Sequence, residues 1–182
     1  MSIFHDLLKT IEIGSSTTFE NLTMYPLLGN SEPKLEYITL DEALAAKTAS
    51  VTEVSKSGSV PDLLFRNGGD IAVLLLDGEE LIGAKQNRVL NLSILAAANK
   101  TITIPVSCVE AGRWSRRTPE FQSSGRAMYA RGRAAKSGQV SMSLRSGHSR
   151  SNQSEVWRDI SEKAERMSVA SDTQAMSDIY ES

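Results

Sequence analysis

Apolar residues recur along the chain in short alternating or continuous runs, and this pattern predicts many short strands. Several runs are rich in Val, Ile, Thr or aromatic residues, and 71–76 is continuously apolar, as is typical of a buried strand. Asp77-Gly78 follows that run and predicts a tight type I′ turn between two strands of a hairpin. The predicted strands lie at 17–29, 35–38, 51–54, 62–67, 71–76 and 101–106.

Apolar residues at helical spacing occur mainly near the two ends of the chain. Residues 2–11 carry an apolar stripe after an initial Ser, and residues 152–167 carry another behind an Asn cap. Thr39 and Glu42 have the spacing of a capping box, which predicts a helix beginning at this point. A further cap predicts a short helix over 171–180.

Together these elements predict an α+β fold, with a mainly antiparallel twisted sheet, one or two flanking helices and a C-terminal helix. We expect a single domain with three parts. Residues 1–110 form the α+β core, and residues 151–182 form a C-terminal helical segment. Residues 111–150 are rich in Arg, Ser and Gly and poor in large apolar residues, so we expect long loops or partial disorder there.

Composition excludes several classes of protein. The single Cys excludes an internal disulfide, and no closely spaced set of Cys and His suggests a metal site. No apolar run approaches the roughly 20 residues that span a bilayer, and residues 1–14 do not resemble a signal peptide. We therefore expect a cytoplasmic protein without a membrane partner.

Charge is distributed very unevenly along the chain. Residues 111–150 contain nine basic residues and one acidic residue, whereas the remaining residues contain 11 basic and 21 acidic ones. A segment of this kind can attract anions even in a protein whose net charge is −2. The simpler interpretation is a solvated basic segment that pairs with acidic surface elsewhere.

The polar groups that a site could use are concentrated between Leu76 and Trp114. Glu80 follows the predicted turn, and four consecutive polar residues then precede an apolar pair. A cation beside an amide suits recognition of phosphate or carboxylate, because the charge attracts the anion and the amide orients it. The alternative is an exposed segment that only keeps the chain soluble. These four residues are Lys85, Gln86, Asn87 and Arg88.

A second polar group follows the strand predicted at 101–106. Cys108 near basic residues could act as a nucleophile, although a lone Cys is more often a small buried side chain. Glu110 could act as a general base or hold ribose hydroxyls, and Trp114 could stack on a flat ring or fill the core. The basic side chains expected to bind phosphate here are Arg113 and Arg116.

Sequence motifs of well-known enzymes are absent from the chain. It has no P-loop, no dinucleotide-binding glycine motif and no zinc-protease, hydrolase-elbow or zinc-deaminase signature. The runs GEELIGAKQNRVLN, SIL and IPVSCVEAGRW, at 78–91, 93–95 and 104–114, resemble the central block of a family of small prokaryotic proteins. This family is ARPP-1, the ADP-ribosylglycohydrolase and rhodanese-phosphatase-associated protein domain. The resemblance implies an association with ADP-ribose or NAD-related systems.

Two functions from different classes remain open. The first is a domain that binds or processes an anionic nucleotide-type ligand such as ADP-ribose or an NAD derivative. In it Lys85, Arg113 and Arg116 engage phosphates, and Glu80 and Glu110 hold hydroxyls or act as acid and base. The second is a non-enzymatic module whose Arg-rich segment binds nucleic acid or an acidic protein. The sequence does not distinguish an enzyme from a binding domain, indicates no particular cofactor, and leaves homo-oligomerisation open.

Overall fold

A computed structural model describes residues 3–29, 36–55, 61–115 and 118–181, and the chain divides into two compact units, Met1–Glu36 and Tyr37–Ser182. The first unit contains helix α1 (Ile3–Leu8) and strands β1 (Ile11–Ile13), β2 (Thr17–Phe19), β3 (Leu22–Met24) and β4 (Leu27–Gly29). Strand β1 pairs with β4 and β2 with β3, both antiparallel. The helix predicted over 2–11 is therefore shorter than expected, because Ile11 begins a strand; Ser2 lies outside the described residues.

A closed six-stranded antiparallel barrel forms the centre of the second unit. Its strands are joined in the order β10, β12, β7, β6, β13, β9, and β9 pairs again with β10. Alternate apolar side chains point inward and form one fully buried core, which includes Phe65, Leu81 and Ile104. The strands are β6 (Ala49–Glu53), β7 (Asp62–Asn67), β9 (Glu79–Gly83), β10 (Arg88–Leu90), β12 (Lys100–Cys108) and β13 (Phe121–Ala127).

The strand junctions of the barrel differ greatly in the number of residue pairs that join them. Strands β7 and β12 share six consecutive residue pairs, whereas β6 and β13 meet at one pair only, Phe121 opposite Val51. An open groove of about 890 Å³ lies along this junction, lined by both strands. The junction between β6 and β13 is thus the least hydrogen-bonded part of the barrel wall.

A small three-stranded sheet extends the core. It contains β5 (Tyr37–Thr39), β8 (Ala72–Leu75) and β11 (Ile94–Ala96), with β8 in the middle and parallel to β5. Helix α2 (Leu40–Ala45) follows β5 and buries Leu40 and Ala43 against the same core. The Thr39–Glu42 capping box predicted from the sequence is confirmed.

A second apolar cluster lies on the outer side of the barrel wall. Helix α4 (Gln153–Arg166) and the C-terminal 3₁₀ helix (Met176–Tyr180) contribute to it, together with Val89 of β10 and Val109, which directly follows β12. The antiparallel strands, helix α2 and the C-terminal helices confirm the predicted α+β class. In the described ranges no helix is both long enough and apolar enough to cross a membrane.

Residues 111–150 differ from the loops that we expected. They contain strand β13 and helix α3 (Ala130–Leu144). Helix α3 has no apolar stripe to reveal it, because its buried positions are Gly132, Lys136 and Val140. Lys136 is held by Asp77, which accepts from its Nζ at 2.5 Å, so a tertiary ion pair stabilises a helix that apolar periodicity does not predict.

The prediction of a hairpin at Asp77-Gly78 is also wrong. Strands β8 and β9 flank this turn but belong to different sheets and do not pair with each other. Among the two turn residues only Gly78 has a positive φ, +85°, whereas a type I′ turn requires positive φ at both. The turn instead links the three-stranded sheet to the barrel.

The capping box of α2 supports a first stability prediction. Thr39 Oγ1 accepts from the backbone N–H of Glu42, and the Glu42 carboxylate accepts from the backbone N–H of Thr39 at 2.7 Å. Replacing Thr39 with Ala should lower the free energy of unfolding by about 1 kcal/mol, since a helix N–H loses its acceptor. Urea denaturation measures this change. Thr39→Ser keeps the acceptor and should differ little from the parent chain; an equal loss in both variants would contradict the capping argument.

Candidate functional site

The barrel wall divides the sequence-predicted site residues into two sets. Glu80 lies opposite Val89, whereas Arg88 lies opposite Leu81 and Cys108. Side chains of directly opposed residues share one face of a sheet, and neighbours along a strand alternate between faces. Glu80 therefore faces the outer cluster, and Arg88 and Cys108 face the interior of the barrel.

The polar run between β9 and β10 bends sharply. Residues 84–86 form a bend just before Asn87, with φ of +121° at Gly83 and +39° at Ala84. The Oδ1 atom of Asn87 accepts from the Gly83 N–H at 3.2 Å and so stabilises the bend. Because the run bends here, its four side chains do not alternate between two faces as they would in an extended strand.

A buried ion pair holds this bend against the end of β12. Nε of Arg113 donates to Oε1 of Glu110 at 2.8 Å, and Nη2 donates to Oε2 at 2.6 Å. Both side chains are almost fully buried. The guanidinium also donates to four further oxygens, those of Gly83, Ala84, Asn87 and Ser115. Arg113 thus acts as a structural clamp that holds the bend in place. Its hydrogen bonds leave few N–H donors for a phosphate.

Glu110 is held ionised by its partners. Burial alone would raise the pKa of this carboxyl, but hydrogen bonds from Arg113, from the Asn87 N–H and from Thr173 outweigh burial and lower the pKa. The C-terminal segment lies beside it, since the Gly112 N–H donates to the Thr173 carbonyl at 2.8 Å. A Cβ at Gly112 would approach the Thr173 backbone within 3.0 Å, so glycine permits this close pairing.

Glu80 is the unusual carboxyl of the outer set. It is fully buried, and neither oxygen has a hydrogen-bonding partner among the described residues. Its pKa is raised to about 7, mainly by burial and to a smaller extent by the charges of Glu110 and Asp178. Arg126 and the nearby Ser124 hydroxyl lower the pKa in part, although Ser124 makes no well-aligned hydrogen bond to it. A carboxyl in this state can both donate and accept a proton near neutral pH.

Two cavities lie next to the groups that shift the pKa of Glu80, although Glu80 itself lines neither of them. One, of about 310 Å³, is lined by Glu110, Asp178 and several Ser and Thr residues of the segment 170–178. The other, of about 470 Å³, is lined by Ser124, Arg126 and Asp178. Both cavities include Asn87, Ser177 and Asp178 in their walls. The four groups that influence the pKa of Glu80 through charge or proximity therefore line one or both cavities: Glu110, Ser124, Arg126 and Asp178.

The inner set surrounds Arg88 at one end of the barrel. Its Nη1 atom donates to Gln86 Oε1 and to Cys108 Sγ, both at 2.8 Å. Burial raises the pKa of the Cys108 thiol, the Glu53 charge raises it further, and the Arg88 charge opposes both. A fully buried thiol with a raised pKa favours a structural role for Cys108 over a nucleophilic one.

Trp114 lies at the same end and is half exposed. Its ring contacts two cations, with Lys85 Nζ 5.3 Å and Arg88 Cζ 5.7 Å from the ring centre. The structure thus brings Lys85, Gln86, Arg88, Cys108 and Trp114 together. Gln86 connects this group to Glu110, because its Nε2 donates to the Glu110 carbonyl at 2.7 Å. Arg116 lies outside the described residues.

Most of the described basic residues in the Arg-rich segment lie close to carboxylates. Lys136 and Arg133 contact Asp77 at 2.5 and 3.2 Å, while Arg131 and Arg126 lie within 4 Å of Asp159 and Glu181. With Arg113 on Glu110, these pairs reduce the field available to a nucleic-acid backbone. They agree with the simpler interpretation of the charge pattern.

Sequence reasoning missed the residues that the bulge in β13 and the C-terminal segment contribute. The register between β9 and β13 shifts between Ser123 and Ala127, and Gly125 has φ of +67° there. A glycine inside a strand signals such a bulge, so Ser124 and Arg126 could have been found. Ser177 and Asp178 carry no local signal, because a long-range contact brings them to the site.

A small α+β domain with a polar, carboxyl-lined pair of cavities is the class that this geometry defines. The chain belongs to the ARPP-1 family, described as the ARG and Rhodanese-Phosphatase-superfamily-associated Protein domain, whose model matches residues 10–182. The resemblance stated from three short runs thus extends over most of the sequence. No curated protein and no solved structure matches the chain. The link to ADP-ribose stays a prediction.

Proposed function

We propose that this chain binds, and processes by acid–base chemistry, a hydroxyl-rich ligand with an anionic group, of the ADP-ribose or NAD type. The observation that carries the proposal is Glu80, a fully buried carboxyl that has no hydrogen-bonding partner among the described residues. The groups that shift its pKa line two cavities: Glu110, Ser124, Arg126 and Asp178. Burying a carboxyl without partners costs stability, and such groups are concentrated at functional sites. The family's association with ARG proteins agrees with a ligand of this type.

The cavities suit such a ligand in size and chemistry. Their volumes, about 310 and 470 Å³, lie in the lower part of the range for small-molecule sites. Asn87, Ser177 and Asp178 can exchange hydrogen bonds with ribose hydroxyls in either cavity. Arg126 supplies a cation, because its contact with the exposed Glu181 at 3.8 Å is weak enough for a phosphate to replace it.

Glu80 would act as the general acid or base. A side chain whose pKa lies near the working pH transfers protons most effectively, and the pKa of Glu80 is about 7. Glu110 would remain ionised and fix the bend that presents Asn87. Cys108 has no part in this chemistry, since it faces the interior of the barrel.

Isothermal titration with ADP-ribose and NAD tests binding, with inorganic phosphate and AMP as comparison ligands. Chromatography of the same mixtures then tests whether the bound ligand is consumed. We expect Glu80→Gln to reduce consumption by about 100-fold or more while changing affinity little, since removal of a general acid or base costs roughly this factor. Asp178→Asn should weaken binding itself.

Glu162→Gln is the matched control, because Glu162 is half exposed on α4 and makes only long contacts with Arg158 and Arg166. It should match the parent chain in both assays. Absence of heat with every ligand in a folded sample would refute binding. Equal consumption by the parent chain and Glu80→Gln would refute the role of Glu80.

A further inference from the structure

Arg88 is a fully buried cation whose hydrogen bonds are incomplete. Nη1 has two partners, Gln86 and Cys108, whereas Nε and Nη2 have none among the described residues. A guanidinium stays charged at all ordinary pH values, so it cannot avoid the cost of burial by losing a proton. A buried charge of this kind requires a compensating group.

The two unpartnered atoms form one edge of the guanidinium. In Arg113 the same two atoms, Nε and Nη2, hold both oxygens of Glu110 at 2.8 and 2.6 Å. The same donor pair is therefore hydrogen-bonded in Arg113 but has no partner among the described residues in Arg88. Two parallel N–H donors match an anion that presents two oxygens, namely a carboxylate or a phosphate.

No neighbour of Arg88 among the described residues accepts a hydrogen bond from its Nε or Nη2 atom. Burial raises the pKa of the Cys108 thiol, which favours its neutral form. Glu53 is near enough to raise the same pKa, but its two oxygens are also buried without hydrogen-bonding partners, and no ion pair joins it to Arg88 among the described residues. Glu53 instead provides an acceptor that a hydroxyl of a singly protonated phosphate group can use.

Trp114 lies beside the buried Arg88. The ring is half exposed, and its centre lies 5.7 Å from Arg88 Cζ and 5.3 Å from Lys85 Nζ. Lys85 adds a second positive charge beside this ring.

We propose that this end of the barrel is a second binding site, which takes a phosphate group side-on through Nε and Nη2 of Arg88 beneath Trp114. The site differs from the one proposed around Glu80, because Arg88 and Glu80 lie on opposite faces of the barrel wall. It therefore stands whether or not the proposed acid–base function is correct.

Trp114 provides a direct test. The chain has two tryptophans, so Trp157→Phe leaves Trp114 as the only indole reporter. Titration of this variant with inorganic phosphate, against sodium chloride of equal ionic strength, should give a saturable change in Trp114 fluorescence. Acetate in a parallel titration distinguishes a phosphate site from a carboxylate site. An unsaturable change, or saturation by acetate alone, would overturn the phosphate assignment.

Arg88→Lys in the same background keeps the charge but removes the donor pair, and it should weaken phosphate binding by at least about tenfold. Arg150→Lys is the control, because Arg150 is exposed and should leave binding unchanged. If Arg88→Lys does not fold, the parent chain still decides: phosphate should raise its melting temperature above the matched chloride sample, and no rise refutes the site. Glu80→Gln should bind phosphate as the parent chain does.

Discussion

Replacing Arg113 with Ala should lower the free energy of unfolding by about 3–5 kcal/mol, the usual cost of removing one partner of a buried ion pair. Arg113 and Glu110 are almost fully buried and share two hydrogen bonds. The substitution leaves the Glu110 carboxylate buried with less compensation and also frees the carbonyls of Gly83 and Ala84. The bend that carries Asn87 should therefore become disordered.

Urea denaturation with circular dichroism measures this loss. The double variant Arg113→Met with Glu110→Gln should be less destabilised than the two single changes added together, because no buried charge remains unpaired. Arg145→Ala, on the exposed end of α3, is the control and should change stability by less than about 0.5 kcal/mol. A small loss in Arg113→Ala would show that the clamp does not stabilise the fold.

Glu80 should make the folded chain less stable as the pH rises. Its ordinary pKa is 4.5, and in the folded chain it is about 7, so between these values the folded state keeps a proton that the unfolded state releases. Stability is therefore greatest below pH 4.5 with respect to this group, and it falls until the pH passes 7. The shift corresponds to about 3 kcal/mol, at roughly 1.4 kcal/mol per pKa unit.

Glu80→Gln should abolish this dependence, because an amide has the shape of the protonated carboxyl and no charge to bury. At pH 8 the variant should be more stable than the parent chain by up to about 3 kcal/mol, while near pH 4.5 the two should be similar. Urea denaturation from pH 4.5 to 8 measures both curves. Glu162→Gln serves as the control, and curves that stay parallel for Glu80→Gln would contradict the raised pKa.

Local sequence signals predicted those elements that local interactions determine. Strand β7 coincides with the predicted run 62–67, and the capping box of α2 forms as its spacing indicates. The turn at Asp77-Gly78 differs from its prediction because Asp77 contacts Lys136, a residue 59 positions away. Helix α3 and the closure of the barrel depend on similar distant contacts, which no window of sequence contains.

In the candidate site too, local signals identified residues, whereas distant contacts determine how these residues are arranged. The polar residues between Leu76 and Trp114 were identified from their density, and many of them are buried in the structure. Their separation into an outer and an inner set follows from the strand register and from a bend at 84–86. The role of Arg113 changed most, since an expected phosphate ligand forms a clamp with Glu110. Asp178 reaches the cavities only because the C-terminal segment pairs with residues 109–112.

The single residue pair between β6 and β13 has a mechanical consequence. The barrel behaves as a curled sheet whose edge strands, β6 and β13, are joined by a single residue pair, whereas its other five strand junctions have more pairs. Amide hydrogens at the junction of β6 and β13 should exchange with solvent before those between β7 and β12. Strand β13 carries Ser124 and Arg126, so separation of β13 from β6 would change the shape of the cavity that these two residues line, while the rest of the barrel kept its register.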